Sequence, residues 1–185
     1  DMSMWSNSDG DQLKSIFTKL NKISLSKDAS EIMNIVLLTN AETPQRNITN
    51  EEFLKFRSDW LVKNSDLDLI EEYLVKNQVF NLHPQLTKYL VNQYLSEANI
   101  KKSCEIFSKI LDPLKDEYLS KFRIYCLVYS GKQEEAQLIL DLKKELGFNE
   151  EYFERKMNFF FGYNTKVDSV ISEKTIFCLL YTSPS

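Results

Sequence analysis

Tyr94-Leu95-Ser96-Glu97-Ala98-Asn99-Ile100-Lys101-Lys102-Ser103 is echoed in outline 33 positions later by Leu127-Val128-Tyr129-Ser130-Gly131-Lys132-Gln133-Glu134-Glu135-Ala136. Each stretch closes an apolar helix, turns at a small residue, and opens a second helix with another small residue five positions on. Helical hairpins that repeat at a period near 34 stack on one another, because no single hairpin can bury its own apolar face. The pattern therefore predicts an all-α fold: a right-handed superhelical stack of helix-turn-helix hairpins, an α-solenoid of about nine helices. Stacks of this kind usually bind other molecules, so the first functional expectation is an interaction protein.

Working outward, Leu13, Ile16, Phe17, Leu20 and Ile23 recur at helical spacing and predict a first amphipathic helix. Asp28 with Glu31 has the form of a capping box and predicts a second helix, with Ile32, Ile35, Val36 and Thr39 on its inner face. The aperiodic stretch 40–47, with Thr43-Pro44, is expected to be a loop. Thr49 with Glu52 opens a third helix carrying Phe53, Phe56, Trp60 and Leu61, and Ser65 with Asp68 opens a fourth. Pro84 suits a first helical turn after His83, where a missing N–H is harmless. Asn99 starts a short helix, and Asp112-Pro113 starts one that ends at Gly131. Helices over 134–146 and 149–161 follow, and Ser172 has the position of a further cap. No stretch alternates with period two, so no sheet is expected.

The stretch from Leu114 to Tyr129 is apolar on more than one side. Leu114, Tyr118, Leu119, Phe122, Tyr125, Cys126 and Tyr129 form one face, while Ile124, Leu127 and Val128 load another. Such a helix has to be covered from several directions, as the middle helices of a layered stack are. Phe159-Phe160-Phe161 makes a similar demand, and one of these rings is expected to pack against a following repeat.

These residues resemble tetratricopeptide-type repeats. Gly131 sits at the tight bend and Ala136 at the small packing site, and Ala98 and Ser103 hold the equivalent places one repeat earlier. The resemblance is clearest over 84–146, with a fainter echo over 60–73, and the part from Trp60 onward is similar to bacterial proteins of this general class. The early Trp-x-x-Leu-Gly signature and the proline that closes the second helix are missing, so the resemblance is to a tetratricopeptide-like helical hairpin rather than to one repeat family. It implies a non-enzymatic scaffold or adaptor for a protein or peptide partner. The alternative is the helical arm of a larger bacterial enzyme, like that of lytic transglycosylases, with a catalytic domain elsewhere in the protein. A bacterial cytoplasm or periplasm would suit either.

Both ends read as cut. Asp1 is not an initiator, so residues 1–177 are expected to be one α-helical repeat domain taken from a longer protein. Cys178-Leu179-Leu180-Tyr181-Thr182-Ser183-Pro184-Ser185, back-translated, resembles read-through of a sequencing-library adapter, and 178–185 is expected to be a non-native tail.

Composition narrows the function classes. Hydrophobic content is 43% and charged content 27%, as in a soluble globular chain, and four glycines with four prolines are too few for a turn-rich sandwich or barrel. No apolar run approaches the roughly 20 residues that span a bilayer. A net charge of −4, with lysines scattered among acids, gives no basic stripe for nucleic acid. The paired acids Glu51-Glu52, Glu134-Glu135 and Glu150-Glu151 fall in expected first helical turns, where the helix dipole favours them. Glu71-Glu72 is a fourth pair, and none has the cleft setting a glycosidase requires.

His83 is the sole histidine, and a structural role beside a helix start is expected for it. No Gly-rich phosphate loop, serine elbow or His-Glu-x-x-His motif is present. Catalytic, cofactor-binding and metal-ligating residues are therefore all expected to be none, with no cofactor. Cys104 and Cys126 read as small buried hydrophobes, a single long-range disulfide being the alternative. Asn47-Ile48-Thr49 matches a glycosylation triplet of a kind common by chance. Lys88, Asn92, Lys121 and Arg123 are candidates to line a groove, or else are ordinary solvated positions.

Overall fold

The computed structural model describes residues 3–163. Among them are nine α-helices and no strand: α1 (Gly10–Leu20), α2 (Lys27–Leu38), α3 (Asn50–Asn64), α4 (Leu67–Asn77), α5 (Pro84–Ser96), α6 (Ile100–Ser108), α7 (Glu117–Tyr129), α8 (Gln133–Glu145) and α9 (Glu151–Phe160). The Ser172 cap and the 177/178 boundary lie outside the described residues. The chain divides into two compact units between Leu90 and Val91, inside α5.

The repeated bend takes physical form as one hydrogen-bonded motif. After α5, Ala98 adopts a left-handed φ of 56°, the Asn99 amide donates to the Tyr94 carbonyl at 2.9 Å, and the Ala98 amide donates to Leu95 at 3.0 Å. After α7, Gly131 has φ 76°, and the Lys132 and Gly131 amides donate to Leu127 and Val128 at 2.8 and 2.9 Å. These paired bonds satisfy carbonyls that a helix end would otherwise leave unpartnered, and they turn the chain back on itself. The same pairing closes α4 at Gln78, α8 at Gly147 and α9 at Gly162. Five residues beyond the bends, Ser103 and Ala136 are both fully buried. A larger side chain at either site would hold the neighbouring helix away.

Helix starts follow capping chemistry, with three shifts from expectation. The Thr49–Glu52 box forms in full, with the Glu52 amide donating to Thr49 Oγ1 at 3.1 Å and the Thr49 amide to Glu52 Oε2 at 2.8 Å. Asn99 caps α6 through the Lys102 amide at 3.1 Å. For α2 the cap is Ser26 rather than Asp28, for α4 it is Asp66 rather than Ser65, and for α7 it is Asp116 rather than Asp112. In each region two or more capping side chains stand within a few residues, and any of them can accept an amide of the first turn. Ser65 instead ends α3, and Asp112-Pro113 lies in an irregular connection before α7.

In the first unit, Phe17 of α1 stacks on Phe56 of α3 at 5.2 Å, and Trp5 meets Phe53 edge-on at 5.3 Å. Asn34 of α2 accepts from Trp60 Nε1 at 3.0 Å and from Ser65 Oγ at 3.2 Å, which pins α2 to α3. The expected inner face of α2 holds only in part, with Val36 and Thr39 half-buried. Ile32 and Ile35 are 62% and 68% exposed, whereas Leu37 is fully buried. Asn34 fixes that rotation, because turning α2 to bury the isoleucines would take Asn34 away from its two donors. Ile16 and Ile23, expected inside, are also exposed.

The start of α1 is clamped to the loop before α3. The Gly10 amide donates to the Arg46 carbonyl at 2.9 Å, and Asn47 Nδ2 donates to Asp9 Oδ2 at 2.8 Å. Asp9 also caps α1 through the Asp11 amide at 3.0 Å. Gly10 is buried so tightly that a Cβ there would lie 2.5 Å from the backbone of Asn47 and from Ile48 Cβ.

In the second unit, α7 is enclosed as its sequence demanded: Leu119, Phe122 and Ile124 are fully buried, with Tyr125 and Cys126 close to it. Tyr129, placed on the inner face by its spacing, is exposed because it lies in the last turn beside the bend. Phe107 of α6 meets Phe122 edge-on at 5.2 Å, and Phe153 and Met157 of α9 are fully buried. Lys121 Nζ reaches Glu150 Oε2 at 2.6 Å, linking α7 to the start of α9, and Lys144 reaches Glu154 at 3.0 Å, linking α8 to α9. Phe159, Phe160 and Phe161 are all half-buried.

Two predictions follow from this geometry. Gly10→Ala places a methyl group against backbone that has no flexible end to yield, and is expected to destabilise by ~1–3 kcal/mol or more in thermal or urea melts. The two bends should respond in opposite senses. A left-handed L-residue costs about 1–2 kcal/mol, partly offset by glycine's greater unfolded entropy of about 0.5–1. Ala98→Gly is therefore expected to raise the melting midpoint and Gly131→Ala to lower it. A lowered midpoint for Ala98→Gly would contradict the bend assignment.

Candidate functional site

Four buried polar side chains of the first unit form one chain of contacts. Arg57 and Ser58 are neighbours on α3, Tyr73 is on α4, and His83 immediately precedes α5, and all four are at least nine-tenths buried. Arg57 Nη1 donates to the Tyr73 hydroxyl at 3.1 Å. The Tyr73 hydroxyl and His83 Nε2 are 2.8 Å apart, and His83 Nδ1 and Ser58 Oγ are 3.0 Å apart. Arg57 Nη2 reaches the Thr39 carbonyl at 3.5 Å, and its guanidinium lies 5.3 Å from the Phe53 ring centre.

Local sequence explains the convergence. Pro84 starts α5, so His83 stands at the helix entrance, where its carbonyl accepts from the Thr87 amide and hydroxyl, each at 3.0 Å. Arg57 and Ser58 are consecutive on α3, so their side chains leave the helix about 100° apart and approach the tyrosine–histidine pair from two directions.

Counting donors fixes the proton positions. The Tyr73 oxygen accepts from Arg57, and the one acceptor within reach of its own proton is His83 Nε2. Burial, with Arg57 nearby, lowers the His83 pKa to about 4, so the ring is neutral at pH 7 and holds a single proton. With Nε2 accepting, that proton is on Nδ1, and the ring donates to Ser58 Oγ. The contacts therefore run as successive donations from Arg57 through Tyr73 and His83 to Ser58.

That direction decides the chemistry. A nucleophilic serine needs an imidazole nitrogen that accepts its proton, but the nitrogen facing Ser58 already carries one. Burial also raises the Tyr73 pKa, which keeps the phenol protonated. Ser58 and His83 border a recess of about 680 Å³ between α3 and the entrance to α5, with Leu54, Lys55 and Asp59 on its walls. Lys55 and Asp59 pair across one helical turn at 2.7 Å. The arrangement is a buried polar post that joins α3, α4 and α5, with a hydroxyl at the edge of an open recess.

The groove candidates have other duties. The Tyr118 hydroxyl donates to Asn92 at 2.5 Å, Lys121 pairs with Glu150 and Glu117, and Arg123 reaches the Asp112 carbonyl at 3.4 Å. Lys88 is half-buried on α5. The Asn47 amide of the glycosylation triplet donates to Asp9. Among the described residues, no three His, Cys, Asp or Glu side chains come together as a metal-binding set.

Sequence reasoning did not find the post, since Arg57, Ser58 and Tyr73 look like ordinary helix positions. The usable signal was Arg57 itself, a cation in the middle of the run Phe53, Phe56, Trp60, Leu61. The cysteine expectation is corrected as well: Cys104 of α6 and Cys126 of α7 form a disulfide, with Cα atoms 5.2 Å apart. A separation of 22 residues carries no signal of its own, because it becomes a contact only when the two helices pack.

The histidine makes stability depend on pH. Above about pH 6.5 the ring is neutral in the folded and unfolded chain alike. As the pH falls from 6.5 towards 4, the unfolded chain takes a proton that the folded chain refuses. Stability is then lost by up to about 1.4 kcal/mol per pH unit. Asp9 and Glu52 act at lower pH, because hydrogen bonds led by those with the Gln12 and Thr49 amides hold their carboxyls below the ordinary carboxylate value. With no other histidine in the chain, urea melts between pH 5 and 6.5 are expected to show this slope in the native protein and to lose it in His83→Gln. A flat native profile in that window would refute the buried neutral ring.

No family model matches the chain, and no curated protein or solved structure matches it either.

Proposed function

We propose that the chain is a non-enzymatic protein-interaction scaffold built from tetratricopeptide-like hairpins in a solenoid arrangement, and that it holds an amphipathic helix of a protein partner. The observation that carries the proposal is an apolar stripe on α8. Leu138 and Leu142 on α8 and Leu146 at its C-cap follow one another at intervals of four and are 60%, 49% and 88% exposed. Residues four apart lie on one helix face, so the three leucines form a continuous ridge. Leaving each of them in water forgoes about 1.5–3 kcal/mol of burial, and a partner helix with matching apolar positions recovers it. Glu135, Asp141, Lys144 and Glu145 flank the ridge as exposed charges and supply a polar rim.

The repeat reading draws support from the matching bends at Ala98 and Gly131 and the buried small residues at Ser103 and Ala136. The non-enzymatic reading draws support from His83, the one imidazole in the chain, whose Nδ1 lies 3.0 Å from Ser58 Oγ and, by the donor count, holds the ring proton.

The double variant Leu138→Glu/Leu142→Glu changes only exposed positions and is expected to keep its helical circular dichroism. Quantitative affinity capture from a native extract is expected to recover a partner with the native chain and to lose it, by at least tenfold, with the variant. Equal recovery by the two proteins would end the proposal.

A further inference from the structure

The Cys104–Cys126 disulfide joins α6 to α7, the shortest and the most enclosed of the helices α6 to α9. The α6 helix spans nine residues and leads into the irregular connection before α7, where Leu111 is 78% exposed. Both cysteine residues are more than nine-tenths buried, yet both line one open surface recess of about 180 Å³. Arg123, Lys132 and Glu135 are its charged lining residues, two cations to one carboxylate, beside Ser130 and the apolar Phe107 and Ile110. Arg123 donates to the Asp112 carbonyl, and Lys132 pairs with Glu135 at 3.8 Å, so both cations have fixed partners beside the sulfurs.

We propose that this disulfide is an exchangeable latch between α6 and α7, opened in the folded protein by a low-molecular-weight thiol that enters the recess. The thiolate of that molecule attacks one sulfur, the S–S bond breaks, and the other cysteine leaves as a thiolate beside Arg123 and Lys132. A second molecule of the thiol resolves the mixed disulfide. The protein gains two electrons and two protons, and the small molecule leaves as its own disulfide. Glu135 offsets Lys132, and the remaining cation of the recess, Arg123, favours both the approach of the attacking thiolate and the departure of the leaving one. Opening does not unfold the unit, because the Phe107–Phe122 contact and the buried Ile106 still hold α6 against α7. It removes the covalent limit on how far α6 and the following connection move away.

The test uses the full chain with Cys178→Ser, so that the pair supplies the sole thiols. The protein is equilibrated in glutathione buffers of graded potential without denaturant. Thiol titration and intact mass are read together with amide hydrogen exchange. The expected result is one two-electron transition in the native state, with amide exchange over 100–116 rising at least fivefold in the reduced form while α9 is unchanged. Three outcomes would overturn the proposal. The first is two titratable thiols under fully oxidising buffer, which removes the bond itself. The second is a bond that glutathione opens only after denaturant is added, which makes it a permanent staple. The third is reduction with no change in exchange at α6, which removes the latch. A Cys104→Ala/Cys126→Ala variant, expected to match the reduced form in exchange, separates loss of the bond from effects of the buffer.

Discussion

Each hairpin depends on how a helix is allowed to stop. A helix end leaves carbonyls without partners, and the chain satisfies two of them by passing through one left-handed residue that sends the next segment back. Five of the described helices close in this way, at Gln78, Ala98, Gly131, Gly147 and Gly162. Beyond the bends at Ala98 and Gly131 the chain enters α6 and α8, and close packing demands a small residue early in each. Ser103 and Ala136 meet that demand without exposed surface. Local backbone chemistry and the choice of small side chains thus belong to one chain of causes.

Features governed by neighbours in sequence were legible. The bends, the Thr49 box, the Asn99 cap and the proline at the start of α5 all rest on contacts within a few residues, and the enclosure of α7 was legible because its own apolar residues occupy more than one face. Features governed by distant neighbours were not. The face that α2 turns inward is chosen by Asn34, whose two partners lie 26 and 31 residues away. Periodicity marked Ile32 and Ile35 as inner residues because it registers apolarity without registering a polar anchor that outweighs it. Start positions slipped by a few residues wherever serine and aspartate clustered, since each is competent to cap and tertiary packing makes the selection.

The buried polar post was the least legible part, for the same reason. Its four members come from two helices and the entrance to a third, and no spacing rule connects them. His83 was legible as a structural residue, yet neither its two hydrogen-bond partners nor its resistance to protonation follows from its sequence neighbours. The disulfide belongs with it, since Cys104 and Cys126 are brought together by the packing of α6 on α7. Burial makes such groups consequential. A hydrogen bond that is nearly neutral at the surface becomes a condition for folding when water cannot replace it.

Arg57 shows where this leads. Its guanidinium is buried with an oxygen from Tyr73 and another from Thr39 in reach, and among the described residues no carboxylate faces it in an ion pair and its Nε has no acceptor. A cation held so sparsely adds little to net stability. It does penalise every alternative arrangement, because sliding α4 by one turn would strand a full charge among Phe53, Leu61 and Leu74. The residue therefore works as a register key, accepting one alignment of α3 with α4 and rejecting those that an all-leucine interface would have tolerated.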